Sequence, residues 1–205
     1  HETVIGVVDY RAGNAPSVMY ALARLGIDAR LVSDAEAVRE VDRIILPGVG
    51  AAGATVASLT DSGLVEVLTE RVLNQAIPFL GICVGLQILF EHSEEGDTDC
   101  LGWLPGKVQR FPESVRVPQI GWNSVRFVRD HALTQDLPAD PYLYFVNSFH
   151  AVPTDDDDVL GVTDYAGEFC SVVAHKNIAA TQFHAEKSGE VGLRILTNFA
   201  TWNGF

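Results

Sequence analysis

The stretch Gly81-Ile82-Cys83-Val84-Gly85-Leu86-Gln87 decides how this chain reads. It follows the apolar run Ile77-Pro78-Phe79-Leu80, which has the length and character of a short buried strand. Leu86-Gln87-Ile88-Leu89-Phe90-Glu91 predicts a helix running on with no Gly or Pro to break it. A strand that turns sharply into a helix, with Gly two positions to either side of the turning residue, has the pattern of a nucleophile elbow. The glycines allow close packing that a bulkier side chain would block, and the turn holds the central side chain out over the end of the sheet. That side chain is Cys83. At a helix N-terminus the positive end of the dipole favours the thiolate, the reactive form of cysteine.

About a hundred residues downstream, Gln182-Phe183-His184-Ala185-Glu186 ends an apolar strand and supplies a base with a carboxylate two residues on. A base needs a partner on its far nitrogen to fix its tautomer and stabilise the imidazolium. His1, His92, His131, His150 and His175 lack that setting, and Cys100 and Cys170 lack the elbow, so they read as surface or packing residues. Attack on an amide also needs donors for the oxyanion. The N–H of Val84 is placed by the elbow itself, and the glycine-rich Pro47-Gly48-Val49-Gly50 should reach the same sheet edge.

Around these segments the first half alternates strand and helix. Val4–Val8, Ala29–Val32 and Arg43–Leu46 read as strands. The loop Tyr10–Gly13, with Asn14 as N-cap, leads into a helix over Ala15–Leu25 that Gly26 ends. Ser33-Asp34-Ala35-Glu36 reads as a capping box opening a helix to Val41, and Gly63–Gln75 as a further helix. The alternation implies a largely parallel sheet covered on both faces. The second half is strand-rich: 108–111, 124–128, 143–146, 170–174 and 178–183, the last two joined by a hairpin at His175-Lys176-Asn177. Val191–Trp202 closes the chain as an amphipathic helix. The expected architecture is one α/β domain over residues 1–205, a mostly parallel sheet with an antiparallel C-terminal extension.

A net charge of −13 argues against a nucleic-acid surface, and the run Asp155–Asp158 reads as a solvated loop rather than a metal site. Every apolar stretch is interrupted too soon to span a membrane, and no signal peptide is visible. The start at His1 rather than Met suggests a processed terminus, so His1-Glu2 carry no functional weight. Three cysteines without a C-x-x-C indicate neither a disulfide framework nor a zinc site, and fit a reducing, cytoplasmic setting.

Gly81–Gln87 together with His184-x-Glu186 resembles the class I, or triad, glutamine amidotransferases, which hydrolyse glutamine to glutamate and ammonia through a thioester. Five segments, 9–14, 47–51, 117–123, 144–148 and 182–189, narrow the resemblance to the glutaminase subunits of bacterial imidazole glycerol phosphate synthases. Gly121-Trp122-Asn123 and Glu186-Lys187-Ser188-Gly189 are the distinguishing motifs.

The resemblance implies the three-layer class I amidotransferase fold and no cofactor or metal. It makes Cys83, His184 and Glu186 the triad, Val49 and Val84 the oxyanion donors, and Gly50, Gln87, Glu95, Ser148 and Phe149 the glutamine pocket. Asn14, Gln119, Trp122 and Lys187 fall on the face that meets a (β/α)8-barrel synthase subunit, which receives the ammonia. Arg11, Ala52, Gln119, Asn147, His150 and Ala185 depart from the residues usual at their positions. The departures leave room for a paralogue feeding ammonia to another acceptor, such as a sugar. A non-catalytic binding subunit, or a simple Cys-dependent hydrolase, would have no evident use for all these motifs together.

Overall fold

The computed structural model describes residues 3–11 and 14–205, so His1-Glu2 and the expected loop residues Ala12-Gly13 lie outside the described residues. The N-terminal half contains β1 (Ile5–Val8), α1 (Ala15–Arg24), β2 (Ala29–Val32), α2 (Ala35–Arg39), β3 (Arg43–Leu46), α3 (Ala52–Asp61), α4 (Leu64–Thr69), β4 (Phe79–Ile82) and α5 (Val84–Gln87). A small hairpin of β5 (His92–Ser93) and β6 (Thr98–Asp99) follows, then β7 (Gly106–Arg110), β8 (Gln119–Ser124), β9 (Arg126–Phe127), β10 (Tyr142–Asn147) and β11 (Phe149–Pro153). The chain closes with β12 (Val159–Asp164), β13 (Glu168–His175), β14 (Ile178–Thr181) and α6 (Gly189–Thr201).

The main sheet runs β2-β1-β3-β4-β14-β13-β11-β7-β5-β6. Its first five strands are mutually parallel, and β13 opens the antiparallel part by pairing with β14. Consecutive residues of the central strands, such as Ile44-Ile45-Leu46 and Phe79-Leu80, are wholly buried, so both faces of the sheet are covered. The expected mix of a parallel core and antiparallel strands is present, with one refinement. The last strand, β14, belongs to the parallel part and lies beside β4, with Thr181 opposite Ile82. A separate antiparallel ribbon pairs β8 with β10.

Several local expectations are corrected. The helix after the elbow stops at Gln87 instead of reaching Glu91, because the carbonyls of Ile88, Leu89 and Phe90 accept bonds from Leu101, Leu104 and Gly102. The α2 cap is Asp34, whose carboxylate accepts from the Ala37 N–H, and the helix ends at Arg39. Helix α3 was not anticipated, and the segment read as one helix over 63–75 widens after α4 into a π-turn, Glu70–Asn74. The strand read over 124–128 breaks at Val125, which is buried in the core while its flanks join different sheets. The final strand ends at Thr181, two residues before Phe183. Asp158 is buried and bonded to His175 at 2.8 Å, so the acidic run is only partly a solvated loop.

Candidate active site

The adjacency of β4 and β14 brings the two distant motifs together. Cys83 and His184 follow the carboxyl ends of neighbouring parallel strands, and the Cys83 N–H bonds the Thr181 carbonyl at 2.8 Å. The elbow glycines are required by close approach: a Cβ on Gly81 would lie 2.2 Å from the Gly85 carbonyl oxygen, and one on Gly85 2.1 Å from that of Leu46. Cys83 itself sits at φ 58° and ψ −110°, a strained conformation for a residue with a side chain. Such strain costs about 1–3 kcal/mol and persists only where surrounding structure enforces it. With α5 only four residues long, its dipole is a small part of the environment of the sulfur. Specific side chains do more.

The His184 ring faces the Cys83 thiol, and its Nδ1 lies 2.6 Å from Glu186 Oε1. Both side chains are almost wholly buried. Burial on its own pulls the His184 pKa down, but the bonds to Cys83 and Glu186 and their charges more than offset it, raising the value to about 9. The imidazolium is therefore the form this pocket favours at neutral pH. Asn14 was expected to cap α1 with its side chain; instead its Nδ2 donates to Glu186 Oε1 at 3.3 Å. The remaining carboxylate oxygen, Oε2, is buried with no hydrogen-bond partner among the described residues.

Gln182, to which the sequence reading gave no role, is fully buried and donates from Nε2 to the Cys83 sulfur at 3.7 Å. Its own Oε1 accepts from Gln87 Nε2 at 3.0 Å, and Gln87 also donates to the Phe149 carbonyl. No periodicity marks Gln182; its place one residue beyond the strand that pairs with the elbow was the available signal. Gln182 is thus a donor to the sulfur, while the Val146 carbonyl, 3.9 Å away, is an acceptor for the thiol proton.

A cavity of about 380 Å³ opens onto Cys83 and His184. Gly50, Gln87, Glu95, Ser148 and Phe149 all line it, as do Val49 and Val84. Pro118 and Asn147, not anticipated as lining residues, complete one wall. Glu95 reaches across to accept the Ala52 N–H at 2.7 Å, capping α3 where the sequence offers no capping side chain. The Val84 N–H is not free to receive an oxyanion in this conformation: it bonds the Gly48 carbonyl at 3.4 Å.

Of the residues assigned to the docking face, Trp122 and Lys187 are exposed and Asn14 is half-buried. Gln119 is not available there. It is buried, with its amide between Asn147 and Asn123 at 2.9 Å each. Ile120 and Tyr142, 64% and 63% exposed, share the ribbon face of Trp122 and were missed because strand alternation alone does not say which face is wet. Arg11 has φ 81°, a backbone conformation that glycine adopts readily and other residues rarely. His150 stacks on Phe111, with centroids 5.0 Å apart, and burial lowers its pKa.

A thiol, an imidazole and a carboxylate in relay at the end of a parallel sheet, with a small cavity in front, form an arrangement capable of nucleophilic acyl transfer. The chain belongs to the class-I glutamine amidotransferase family: the model described as Glutamine amidotransferase class-I matches residues 6–202. Within that family it is 46% identical over 197 residues to the Imidazole glycerol phosphate synthase subunit HisH of Dehalococcoides mccartyi strain CBDB1, covering 96% of each chain. It is 42% identical to the protein of the same name from Neisseria meningitidis serogroup A, covering 96% of this chain and 98% of that one. That name is a subunit's, and so implies a partner subunit for those proteins. The fold is also that of PurLQS from Thermotoga maritima, at TM-score 0.78 and 18% identity, covering 97% of this chain and 98% of that one. Among the described residues no helix is long and apolar enough to cross a membrane.

Proposed function

We propose that this chain is the glutaminase subunit of an imidazole glycerol phosphate synthase, hydrolysing glutamine and passing the ammonia to a (β/α)8-barrel subunit in histidine biosynthesis. The observation that carries the chemistry is the Cys83–His184–Glu186 relay opening onto the cavity. Likeness to the HisH proteins over nearly the whole chain supports the pathway. The cysteines are all free thiols, as a reducing cytoplasm would keep them.

In this reading the Cys83 thiolate attacks the side-chain carboxamide carbon of glutamine. Negative charge builds on the oxygen, and the His184 imidazolium gives its proton to the departing nitrogen. Ammonia leaves and a thioester remains. Neutral His184 then takes a proton from water as it attacks the thioester, and glutamate is released with the thiolate restored. Glu186 holds Nδ1 protonated throughout, so that the other ring nitrogen faces the reacting atoms.

The oxyanion needs N–H donors, and here the Gly48–Val49 peptide turns its carbonyl toward the Val84 N–H. Carbonyl and N–H of one peptide point in opposite directions. Rotation of that unit frees the Val84 N–H and brings the Val49 N–H inward in the same movement. We infer that docking of the barrel drives this rotation, through the face carrying Trp122, Ile120, Tyr142, Lys187 and Asn14. A docking role is supported by the large apolar side chains that Trp122, Ile120 and Tyr142 hold in water on one ribbon face, and by Asn14, which the resemblance assigns to the same face and which touches Glu186.

The test is to mix the chain with the barrel protein of a histidine pathway and follow glutamine-dependent formation of imidazole glycerol phosphate. Weak glutamine hydrolysis by the chain alone and a large rise with barrel and acceptor substrate are expected. Full hydrolysis by the isolated chain, unchanged by the barrel, would overturn the reading.

A further inference from the structure

The segment from Pro47 to Ala52 is fastened at both ends and loosely held between them. At the near end the Pro47 carbonyl accepts a 2.6 Å bond from the hydroxyl of Tyr10, whose ring is buried against the core. At the far end the Ala51 carbonyl accepts from both the N–H and the hydroxyl of Thr55, at 3.1 Å each, and the Ala52 N–H is taken by Glu95. In the middle, the Gly48 carbonyl has the 3.4 Å contact with Val84, and Val49 is exposed. Tyr10 does more than hold Pro47. A Cβ on Gly48 would lie 2.6 Å from its hydroxyl and 3.1 Å from Val84 Cβ, so the Gly48 backbone is sandwiched between Tyr10 and the elbow.

We propose that Tyr10 is a positioning residue for this loop: its hydroxyl fixes the Pro47 carbonyl, so that the rearrangement exposing the oxyanion donors is confined to the Gly48–Val49 peptide. The proposal rests on the glutaminase reading above. A carbonyl can only accept, so Tyr10 gives its one proton to Pro47. The Thr55 hydroxyl gives its one proton to the Ala51 carbonyl, so its part is the support at the far end of the loop. Burial pushes the Tyr10 pKa up to about 12. The phenol thus stays a neutral donor over any working pH. With both ends of the loop fixed, the central peptide turns like a crank between stationary supports. Without the Tyr10 bond, Pro47 moves too, and the two N–H groups no longer converge on one point.

The experiment uses the complex with the barrel, in the presence of acceptor substrate. Tyr10→Phe keeps the ring and removes the hydroxyl. Glutamine turnover should fall about tenfold, the worth of one buried hydrogen bond, with KM for glutamine within about twofold of wild type. Alkylation of Cys83 by iodoacetamide, which passes through no oxyanion, should proceed at the wild-type rate. Thr55→Val should reproduce the kcat loss, and Thr55→Ser should restore it. An active wild-type complex with undiminished kcat in Tyr10→Phe, or a loss of alkylation parallel to the loss of kcat, overturns the positioning role. If Tyr10→Phe fails to fold, equal kcat in Thr55→Val and Thr55→Ser overturns it. A wild-type complex that hydrolyses no glutamine overturns the functional reading, and this proposal with it.

Discussion

Replacing Glu186 by Gln removes a charge from the relay while keeping its shape, and the local geometry sets the size of the effect. Oε1 of Glu186 receives two donors, His184 Nδ1 at 2.6 Å and Asn14 Nδ2 at 3.3 Å. A glutamine satisfies both only with its carbonyl oxygen in that place, which puts its NH2 where Oε2 has no partner among the described residues. The histidine tautomer is therefore retained, and what is lost is the ionic part of one buried bond. Bonds to charged groups are worth about 1.5–3 kcal/mol, so turnover should fall roughly 10- to 150-fold. The assay is glutamate release by the complex with barrel and acceptor, with Cys83→Ala as the floor. The pH profile provides a second reading. The Cys83 and Glu186 bonds raise the His184 pKa to about 9, so deleting one of them must lower it, and the alkaline limb of kcat/KM should move to lower pH. The same shift bears on folding. A raised histidine pKa stabilises the native state fully below its ordinary 6.5, and that contribution is lost as pH climbs through about 9. A Glu186→Gln protein as inert as Cys83→Ala, with an unchanged thermal midpoint, would refute this reasoning.

Cys83→Ala should abolish glutamine hydrolysis while the complex still makes product from added ammonia; Cys100→Ala and Cys170→Ala, whose burial pushes their thiol pKa values up to about 11 and 12, should leave turnover nearly untouched. Trp122→Ala, at a residue 55% exposed, should leave the fold intact and weaken barrel binding by about 2 kcal/mol, read by titration calorimetry. Asn177→Ala strips the donor from the Val72 and Ile77 carbonyls, bonded at 2.8 and 2.7 Å. It should cost about 2–3 kcal/mol in a denaturant melt without changing kcat of the folded enzyme.

The elbow was legible because its physics is local: two glycines, a cysteine and a change of hydrophobic period over a dozen residues. The pairing of Cys83 with His184 was legible as chemistry but not as topology, since nothing in the apolar run at 178–181 says whether it lies parallel or antiparallel to β4. What escaped the sequence was set by distant partners. Asn14 has the composition of a cap, yet Glu186, 172 residues away, takes its side chain. Glu95 caps a helix 43 residues upstream. The helix expected through Glu91 yields to the segment 101–104, which pairs with its carbonyls more favourably than its own next turn would. The resemblance put Gln119 on the docking face, but the amide pair it forms with Asn147 draws it inward.

The insertion of β14 between β4 and β13 also has a bearing on synthesis of the chain. A ribosome delivers Cys83 just over a hundred residues before His184, and the slot that β14 fills lies in the middle of the sheet rather than at its edge. Until that strand arrives, β4 lacks its neighbour on one side and the Cys83 N–H lacks the Thr181 carbonyl. The strained turn at Cys83 has little to enforce it at that stage, and the thiol has no imidazole beside it. If Cys83 and His184 act as proposed, a chain that ends before β14 lacks the strand, the carbonyl and the imidazole that complete the site, and activity would arise with the closing of the sheet.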